Sequence, residues 1–276
     1  MANNLRVVYD NAADRATIVA SSAAGTLVAS NLSTDYKSEV WRSTGLTATL
    51  TITWPTAELI GMVALAFASL SSAATFRVRG YQNDDDPTPL FDVDGFACYG
   101  ADFDAFPWGT VPLGVNAYSY GGGAYGVLWT PVHACQKVVL DIADSNPLGY
   151  IEASRLVCGT YWEPIYSAET GATVGITDTS KNERTDAGDL RTDRGTIHKT
   201  LSFDLNVMPK EDRDALYNIL RGNGMFKPVY ISLVPVYDED ETGEQVFQIY
   251  GKVFKSASIK WAYADMFSTK LEIEEV

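Results

Sequence analysis

Residues 47–55, Thr-Ala-Thr-Leu-Thr-Ile-Thr-Trp-Pro, decide the fold of this chain. Their apolar members alternate with threonines, and a period of two is typical of a strand with one buried face. The apolar run at 60–67 has no polar side and is too short to span a bilayer, so we predict a strand covered on both faces. A further alternating run at 76–81 completes the centre of a predicted β-sandwich.

The rest of the chain supplies further strands and one helix. Apolar runs at 5–9, 136–142 and 150–162 predict strands that complete the first unit. The second unit begins with an alternating strand at 199–207. A helix at 209–221 has acidic residues in its first turn and a glycine stop. It precedes four more predicted strands, at 228–236, 245–255, 257–263 and 267–275.

These patterns predict a mainly β protein of 276 residues with two domains. Residues 1–165 form an N-terminal β-sandwich (jelly roll) that carries a long insertion, rich in aromatic residues and glycine, at 83–130. Residues 166–198 are polar and weakly patterned, which indicates a linker or an assembly arm. Residues 199–276 form a small antiparallel β domain with one helix, which we interpret as an assembly module.

The charge and the cysteines narrow the possible functions. A net charge of −14 repels phosphate backbones, so we expect no nucleic-acid partner. No apolar run is long enough to span a membrane and the first residues lack a signal-peptide pattern, so we expect no membrane insertion. Cys135 and Cys158 lie in apolar runs and are predicted to be buried thiols. With Cys98 they make an odd, widely spaced set, which is neither a disulfide framework nor a zinc site.

The sequence contains no recognisable catalytic or metal motif. Its two histidines, His133 and His198, lie outside every motif that activates a nucleophile or binds zinc. Asp92, Asp94 and a glycine begin like a calcium loop, but a phenylalanine, Phe103, stands where the closing glutamate of an EF-hand is required. We therefore predict no enzyme activity, no catalytic residues, no metal site and no cofactor.

The insertion at 83–130 holds the candidate contact residues. Exposed rings stack on sugars and are also enriched at protein interfaces. An aromatic segment of this kind can alternatively fold over a small core of its own. The Asp-rich turn offers hydroxyl-accepting carboxylates, and a loose calcium site there is a further alternative. The candidates for carbohydrate or subunit contact are Trp108, Tyr118, Tyr120, Tyr125, Asp84, Asp85 and Asp86.

The first unit resembles the galactose-binding-like (discoidin-type) jelly roll. The resemblance rests on Trp41-Arg-Ser, the threonine-rich strand ending at Trp54, the apolar strand at 59–67 and Phe76-Arg-Val-Arg. The closing segment at 149–162 is similar to the last strand of that fold, with its Ile-x-x-x-Arg-Leu core pattern. These are core-packing patterns, so the resemblance implies the fold and transfers no ligand residue.

The second unit resembles modules of minor and distal tail proteins of long-tailed bacteriophages. The resemblance rests on Phe203-Asp-Leu, the helix at 209–221, and the closing segments Gly251-Lys-Val and Leu271-Glu-Ile-Glu. It implies a structural component of a phage tail tip, or baseplate, made in the bacterial host cytoplasm and located in the virion. Its implied partners are copies of itself (a homo-oligomer), other phage tail proteins and a bacterial surface glycan.

Two other functions remain open from the residues alone. A soluble carbohydrate-binding module, or lectin, would use the first unit to bind a glycan. A glycan hydrolase would need a pair of carboxylates flanking the scissile bond. The chain is rich in carboxylates, but no two of them stand out in the sequence.

Overall fold

The computed structural model describes residues 5–98, 124–168, 171–235 and 245–276. The described chain is mainly β, with one α-helix, α1 (Lys210–Asn223), and two short 3-10 helices, Ala12–Arg15 and Ala29–Ser33. In chain order its strands are β1 (Arg6–Val8), β2 (Thr17–Ala20), β3 (Trp41–Arg42), β4 (Thr47–Ala68), β5 (Thr75–Tyr81), β6 (Phe91–Phe96), β7 (Ala124–Ala143), β8 (Glu152–Ala153), β9 (Arg155–Gly159), β10 (Thr173–Asp178), β11 (Lys181–Arg184), β12 (Leu190–Asp193), β13 (Ile197–Met208), β14 (Val229–Ser232), β15 (Gln248–Val253), β16 (Lys260–Tyr263) and β17 (Met266–Glu275).

The first sheet is antiparallel and curls back on itself. Its strand order is β2-β4-β7-β5-β6, and β9 pairs with the second half of β4. Three register shifts interrupt the long β4–β7 ladder, and shifts of this kind bend strands. The backbone N–H of Val127, early in β7, donates to the carbonyl of Ala97 after β6, at 2.7 Å. The two halves of the ladder therefore enclose one core, which contains the fully buried Trp41.

The alternation predicted at 47–55 is confirmed, since Leu50, Ile52 and Trp54 point into that core. Residues 60–67 are covered on both faces, as predicted, whereas the apolar residue before them, Leu59, is 53% exposed. The two predicted strands are one continuous strand, β4. Pro55 lies within the register shift between Thr53 and Glu58, where the ladder needs no N–H donor.

The second sheet has the order β1-β14-β15-β17-β13-β10, with β16 pairing β17. Leu216 of α1 is buried in the core of this sheet. The helix begins after Pro209, which is the N-cap residue rather than the first helical residue. It ends at Gly224, whose φ of 56° is a conformation that favours glycine. No helix in the described ranges combines the length and hydropathy needed to cross a membrane.

Two segments pair differently from the sequence-based expectation. Strand β1 was predicted to belong to the first unit, but Arg6–Val8 pairs with Tyr230–Ser232 in the second sheet. Residues 124–130, which were assigned to the insertion, are the first part of β7 in the closed sandwich. Alternation identifies a strand but does not specify its partner, and glycines at 121–123 and 126 obscured the start of β7.

The segment at 166–198 contains a strand and a hairpin. Strand β10 pairs with β13 and so extends the second sheet. Strands β11 and β12 pair with each other and form a separate two-stranded sheet. Every residue of these two strands is exposed. We call residues 179–196 the hairpin arm.

A third apolar cluster joins the two sheets. Met62, Ala64 and Ala66 of β4 point away from the first core and meet the fully buried side chains of Tyr230 and Tyr250. The second sheet therefore covers the outer face of the apolar run at 59–67. The other buried members of this third cluster are Val8, Phe67, Tyr125, Val127 and Val157.

A buried arginine connects the sheets through polar contacts. Arg155 is 2% exposed. Its Nε donates to the hydroxyl of Tyr250 at 2.9 Å, and its Nη2 lies 2.5 Å from Asp14 Oδ1 and 3.3 Å from Asp35 Oδ1. The Tyr250 hydroxyl in turn donates to Asp35 at 2.9 Å. The guanidinium is thus compensated by two carboxylates of the first unit and a phenol of the second sheet.

Replacing Arg155 with alanine is expected to lower the free energy of unfolding by about 3 kcal/mol, because the facing polar groups lose their partner at an apolar junction. The measurement is equilibrium unfolding in urea. Arg191→Ala, in the hairpin arm, removes the same charge at an exposed site and should change stability by no more than about 0.5 kcal/mol. Equal effects of the two substitutions would contradict a structural role for the Arg155 contacts.

Candidate functional site

The face of the first sheet that points away from its core is polar and regularly ordered. Threonines line this face along β4, and charged side chains line it along β7, β5 and β6. One row runs across the sheet through Thr49, Asp141, Arg77 and Asp94. The next row runs through Thr51, Val139, Arg79 and Asp92. Successive side chains of a strand point to opposite faces of the sheet. Because the apolar side chains of each strand point into the core, the polar side chains between them lie together on the outer face.

A groove of about 570 Å³ lies on this face. Its volume falls within the range of ordinary small-ligand sites. It runs across the ends of β4, β7, β5 and β6, and we call it the sheet-face groove. The side chains that define its chemistry are those of Ser21, Thr47, Thr49, Thr75, Arg77, Asp94, Phe96 and Asp141.

Two hydrogen-bonded ion pairs fix the charged side chains of the face. Asp141 accepts from the Thr49 hydroxyl at 2.8 Å and from Arg79 Nη2 at 2.5 Å, one bond to each oxygen. Arg77 binds Asp92 with two parallel bonds, at 2.8 and 2.6 Å. These bonds hold the pKa of the Asp92 carboxyl below its ordinary value. Arg77 and Asp141, which line the groove, are therefore each held by two hydrogen bonds, and the Arg77–Asp92 pair is bidentate.

Asp94 and Phe96 are two exposed groove residues that a ligand can reach. Within the described residues the Asp94 side chain makes no hydrogen bond or ion pair, and only a longer-range attraction to Arg77 involves it. The side chain of Phe96 is 57% exposed. The two residues are separated by one position on β6, so both project from the same face. A flat apolar ring and an unpaired carboxylate are thus adjacent on the edge strand β6.

The predicted contact residues do not converge on this groove. Asp84, Asp85 and Asp86 form the turn between β5 and β6. There Asp86 accepts from the backbone N–H of Asn83 at 2.8 Å, and Asp84 pairs with Lys137 at 3.4 Å. Across the described ranges, no three His, Cys, Asp or Glu side chains are grouped to hold a metal ion. Trp108, Tyr118 and Tyr120 lie outside the described residues.

The prediction that Tyr125 is an exposed contact ring is wrong. Tyr125 is 3% exposed and belongs to the cluster between the sheets. Its hydroxyl donates to Glu275 at 2.9 Å and accepts from the backbone N–H of Tyr250 at 3.2 Å. Burial, together with the Glu275 charge, raises the pKa of this hydroxyl well above its usual range. Its ring packs where the second sheet covers the first, a contact that no local pattern indicates.

The two histidines and the three cysteines make structural contacts. His133 stacks on Phe91, with ring centroids 5.7 Å apart, and His198 Nε2 lies 2.8 Å from Glu274. All three cysteines are free and buried, which confirms the prediction for Cys135 and Cys158. Burial raises the pKa of the Cys135 thiol to about 11, so it is not a reactive thiolate.

Sequence reasoning missed Phe96 as a contact residue. It lies within the aromatic insertion at 83–130, and its position at the end of an alternating strand, after Asp92 and Asp94, was the available signal. Asp141 was likewise placed in a strand without being recognised as part of a polar face. Finding the groove required the register that brings β6 and β7 to opposite sides of β5.

Comparison with known proteins gives structural neighbours only. No family model matches the chain, and no curated protein matches it. Among solved structures, chitosan-binding module 1 from a Paenibacillus chitosanase/glucanase matches with a TM-score of 0.37 and 15% identity, over 55% of this chain and 99% of the module. The family 32 carbohydrate-binding module of Clostridium perfringens NanJ, in complex with galactose, gives 0.38 and 11%, over 57% and 99%.

A Ruminococcus gnavus GH29 fucosidase in complex with fucose also matches, with a TM-score of 0.39 and 11% identity. The match covers 56% of this chain and only 27% of the fucosidase. At these scores and identities the ligands of the neighbours cannot be transferred to this chain.

Replacing Arg77 with methionine is expected to raise the pKa of Asp92 toward its ordinary value, because the bonds that stabilise the ionised form are lost. Because the pKa of Asp92 is lowered in the folded state, the pair stabilises the folded protein at pH values above the ordinary Asp pKa. That contribution is lost as pH falls through the lowered value. NMR titration of the Asp92 carboxyl carbon measures the change. Arg191→Met is the control, and an Asp92 titration unaffected by Arg77→Met would contradict the assignment.

Proposed function

We propose that this protein binds carbohydrate in the sheet-face groove of its first unit. The observation that carries the proposal is the exposed ring of Phe96 beside the unpaired carboxylate of Asp94. An aromatic ring packs against the C–H face of a sugar, and carboxylates and hydroxyls bind its OH groups. The expectation from the galactose-binding-like resemblance agrees with this class of ligand.

The groove supplies the polar partners that a sugar needs. The hydroxyls of Ser21, Thr47 and Thr75 line it, and each hydroxyl can both donate and accept. Asp141 and Arg77 are already oriented by their own bonds, so binding a ligand costs little additional side-chain ordering. This arrangement supports recognition of a polyhydroxylated ligand.

We propose binding without turnover. Glycoside hydrolysis requires a carboxylic acid whose raised pKa keeps it protonated. Asp92 is bound by Arg77, and both oxygens of Asp141 are engaged by Thr49 and Arg79. Among the described residues of this face, that leaves Asp94 as a single unpaired carboxylate where two free carboxyl groups are required. Release of reducing sugar from a bound polysaccharide would contradict this part of the proposal.

Phe96→Ala is expected to reduce glycan affinity by at least about tenfold, because the stacking surface is lost while the ion pairs of the face remain. The experiment is a glycan array with the intact protein, followed by calorimetry on the best ligand. Phe226→Ala removes a ring of similar exposure, 67%, from the second unit and should leave affinity unchanged. If no glycan binds the intact protein, the proposal fails.

A second candidate function is assembly into a bacteriophage tail tip, as the resemblance of the second unit implies. The observation that favours assembly is the hairpin arm, whose two strands are exposed along their whole length. A two-stranded hairpin without a core is marginally stable alone. The flanking Ile176 and Ile197 are 77% and 52% exposed. Contact with a neighbouring subunit would bury these side chains and stabilise the arm.

In this second proposal the protein is a virion component, made in the bacterial host cytoplasm, that contacts copies of itself and other tail proteins. The glycan groove would then face the host surface. The two proposals are compatible, because the groove lies on the first sheet and the arm extends from the second.

Replacing residues 180–195 by a short Gly-Ser linker is expected to dissociate the oligomer while the fold of both sheets persists. Light scattering coupled to size-exclusion chromatography gives the mass, and circular dichroism gives the strand content. A matched variant, Lys181→Glu with Asp193→Lys, exchanges the charges of a cross-strand pair and should preserve the hairpin. An intact protein that is monomeric at every concentration would contradict self-assembly.

A further inference from the structure

The sheet-face groove has an unequal charge balance. The sheet face that carries it has the carboxylates of Asp92, Asp94 and Asp141, the guanidinium groups of Arg77 and Arg79, and the ammonium group of Lys137, which pairs with Asp84. Each guanidinium already binds a carboxylate, Arg77 with Asp92 and Arg79 with Asp141. Within the described residues this leaves Asp94 as the charged group of the face without a hydrogen-bonded partner.

We propose that the groove prefers sugars that carry a free, protonated amine, such as glucosamine residues, over N-acetylated or acidic sugars. The inference rests on the proposed function and specifies its ligand class. An ammonium group would supply the missing partner of Asp94 through a charge-assisted hydrogen bond, which is roughly twice as strong as a neutral one.

The spacing of the two ligand-accessible groups fits one sugar ring. Asp94 and Phe96 are two residues apart on β6, and two strand residues advance about 7 Å. A pyranose stacked on Phe96 therefore places a substituent bonded directly to its ring within reach of the Asp94 carboxylate. The amine of a 2-amino sugar is such a substituent, and N-acetylation removes its charge.

The surrounding charge favours the same selection. A uronate or phosphate-bearing glycan would bring its own negative charge next to Asp94, with both arginines already neutralised by carboxylates. The chain as a whole has a net charge of −14, which repels anionic polymers and attracts cationic ones.

The test is calorimetric titration of the intact protein with three short oligosaccharides of equal length. These are oligomers of glucosamine, N-acetylglucosamine and galacturonic acid, used at a pH where the amine is protonated. We expect the glucosamine oligomer to bind about three- to fivefold more tightly than the acetylated one, because Asp94 is exposed, and the galacturonate oligomer to bind weakest. The preference should decrease as added salt screens the ion pair.

Two variants of equal charge identify the residue responsible. Asp94→Asn is expected to abolish the preference for the free amine while retaining binding of the acetylated oligomer, because Phe96 is unchanged. Asp85→Asn removes the same charge from the exposed turn between β5 and β6 and should retain the preference.

The outcomes separate this inference from the proposed function. Equal affinity of the intact protein for the free-amine and acetylated oligomers, or an unchanged preference in Asp94→Asn, overturns the inference and leaves glycan binding in place. Failure of all three oligosaccharides, and of every glycan on the array, overturns both.

Discussion

The buried guanidinium of Arg155 is the constraint on which the two halves of this molecule depend. It lies at an apolar junction, where an unpaired charge costs several kcal/mol. Asp14 and Asp35 compensate it from the first unit, and the phenol of Tyr250 does so from the second sheet. Separating the sheets would therefore remove one partner of a buried charge as well as expose apolar surface. This coupling adds directional polar contacts to the apolar junction between the sheets.

The junction also explains why the long strand β4 has two kinds of residue pattern. Its first half alternates because one face is covered by the sandwich core and the other is the polar face that carries the sheet-face groove. Its second half is apolar throughout because the second sheet covers its outer face. The same strand thus supports the candidate site at one end and the junction at the other. The register shifts between the two halves turn these surfaces in different directions.

The sequence predicted the mainly β architecture, the strands at 47–55 and 59–67 and the helix of the second unit, because hydrophobic period and helix-stop signals are local. It did not predict the strand partners of β1 or the burial of Tyr125, since both depend on contacts between residues more than a hundred positions apart. The candidate site was missed for a related reason. The register of four strands brings together Thr49, Asp141, Arg77 and Asp94, which are far apart in the sequence. The aromatic segment at 83–130, in contrast, is continuous in the sequence and therefore indicated a candidate site.

The pairing of β1 with β14 has a mechanical consequence. The chain passes from the second sheet into the sandwich within the first few described residues, and it returns from the sandwich to the second sheet after Trp162, whose backbone is hydrogen-bonded to Val7. Both connections between the halves are therefore tied together at one place. Tension applied to a ligand held by the first sheet would load those paired backbone segments in parallel instead of stretching one linker. The two sheets would then move together, as one rigid unit, under force.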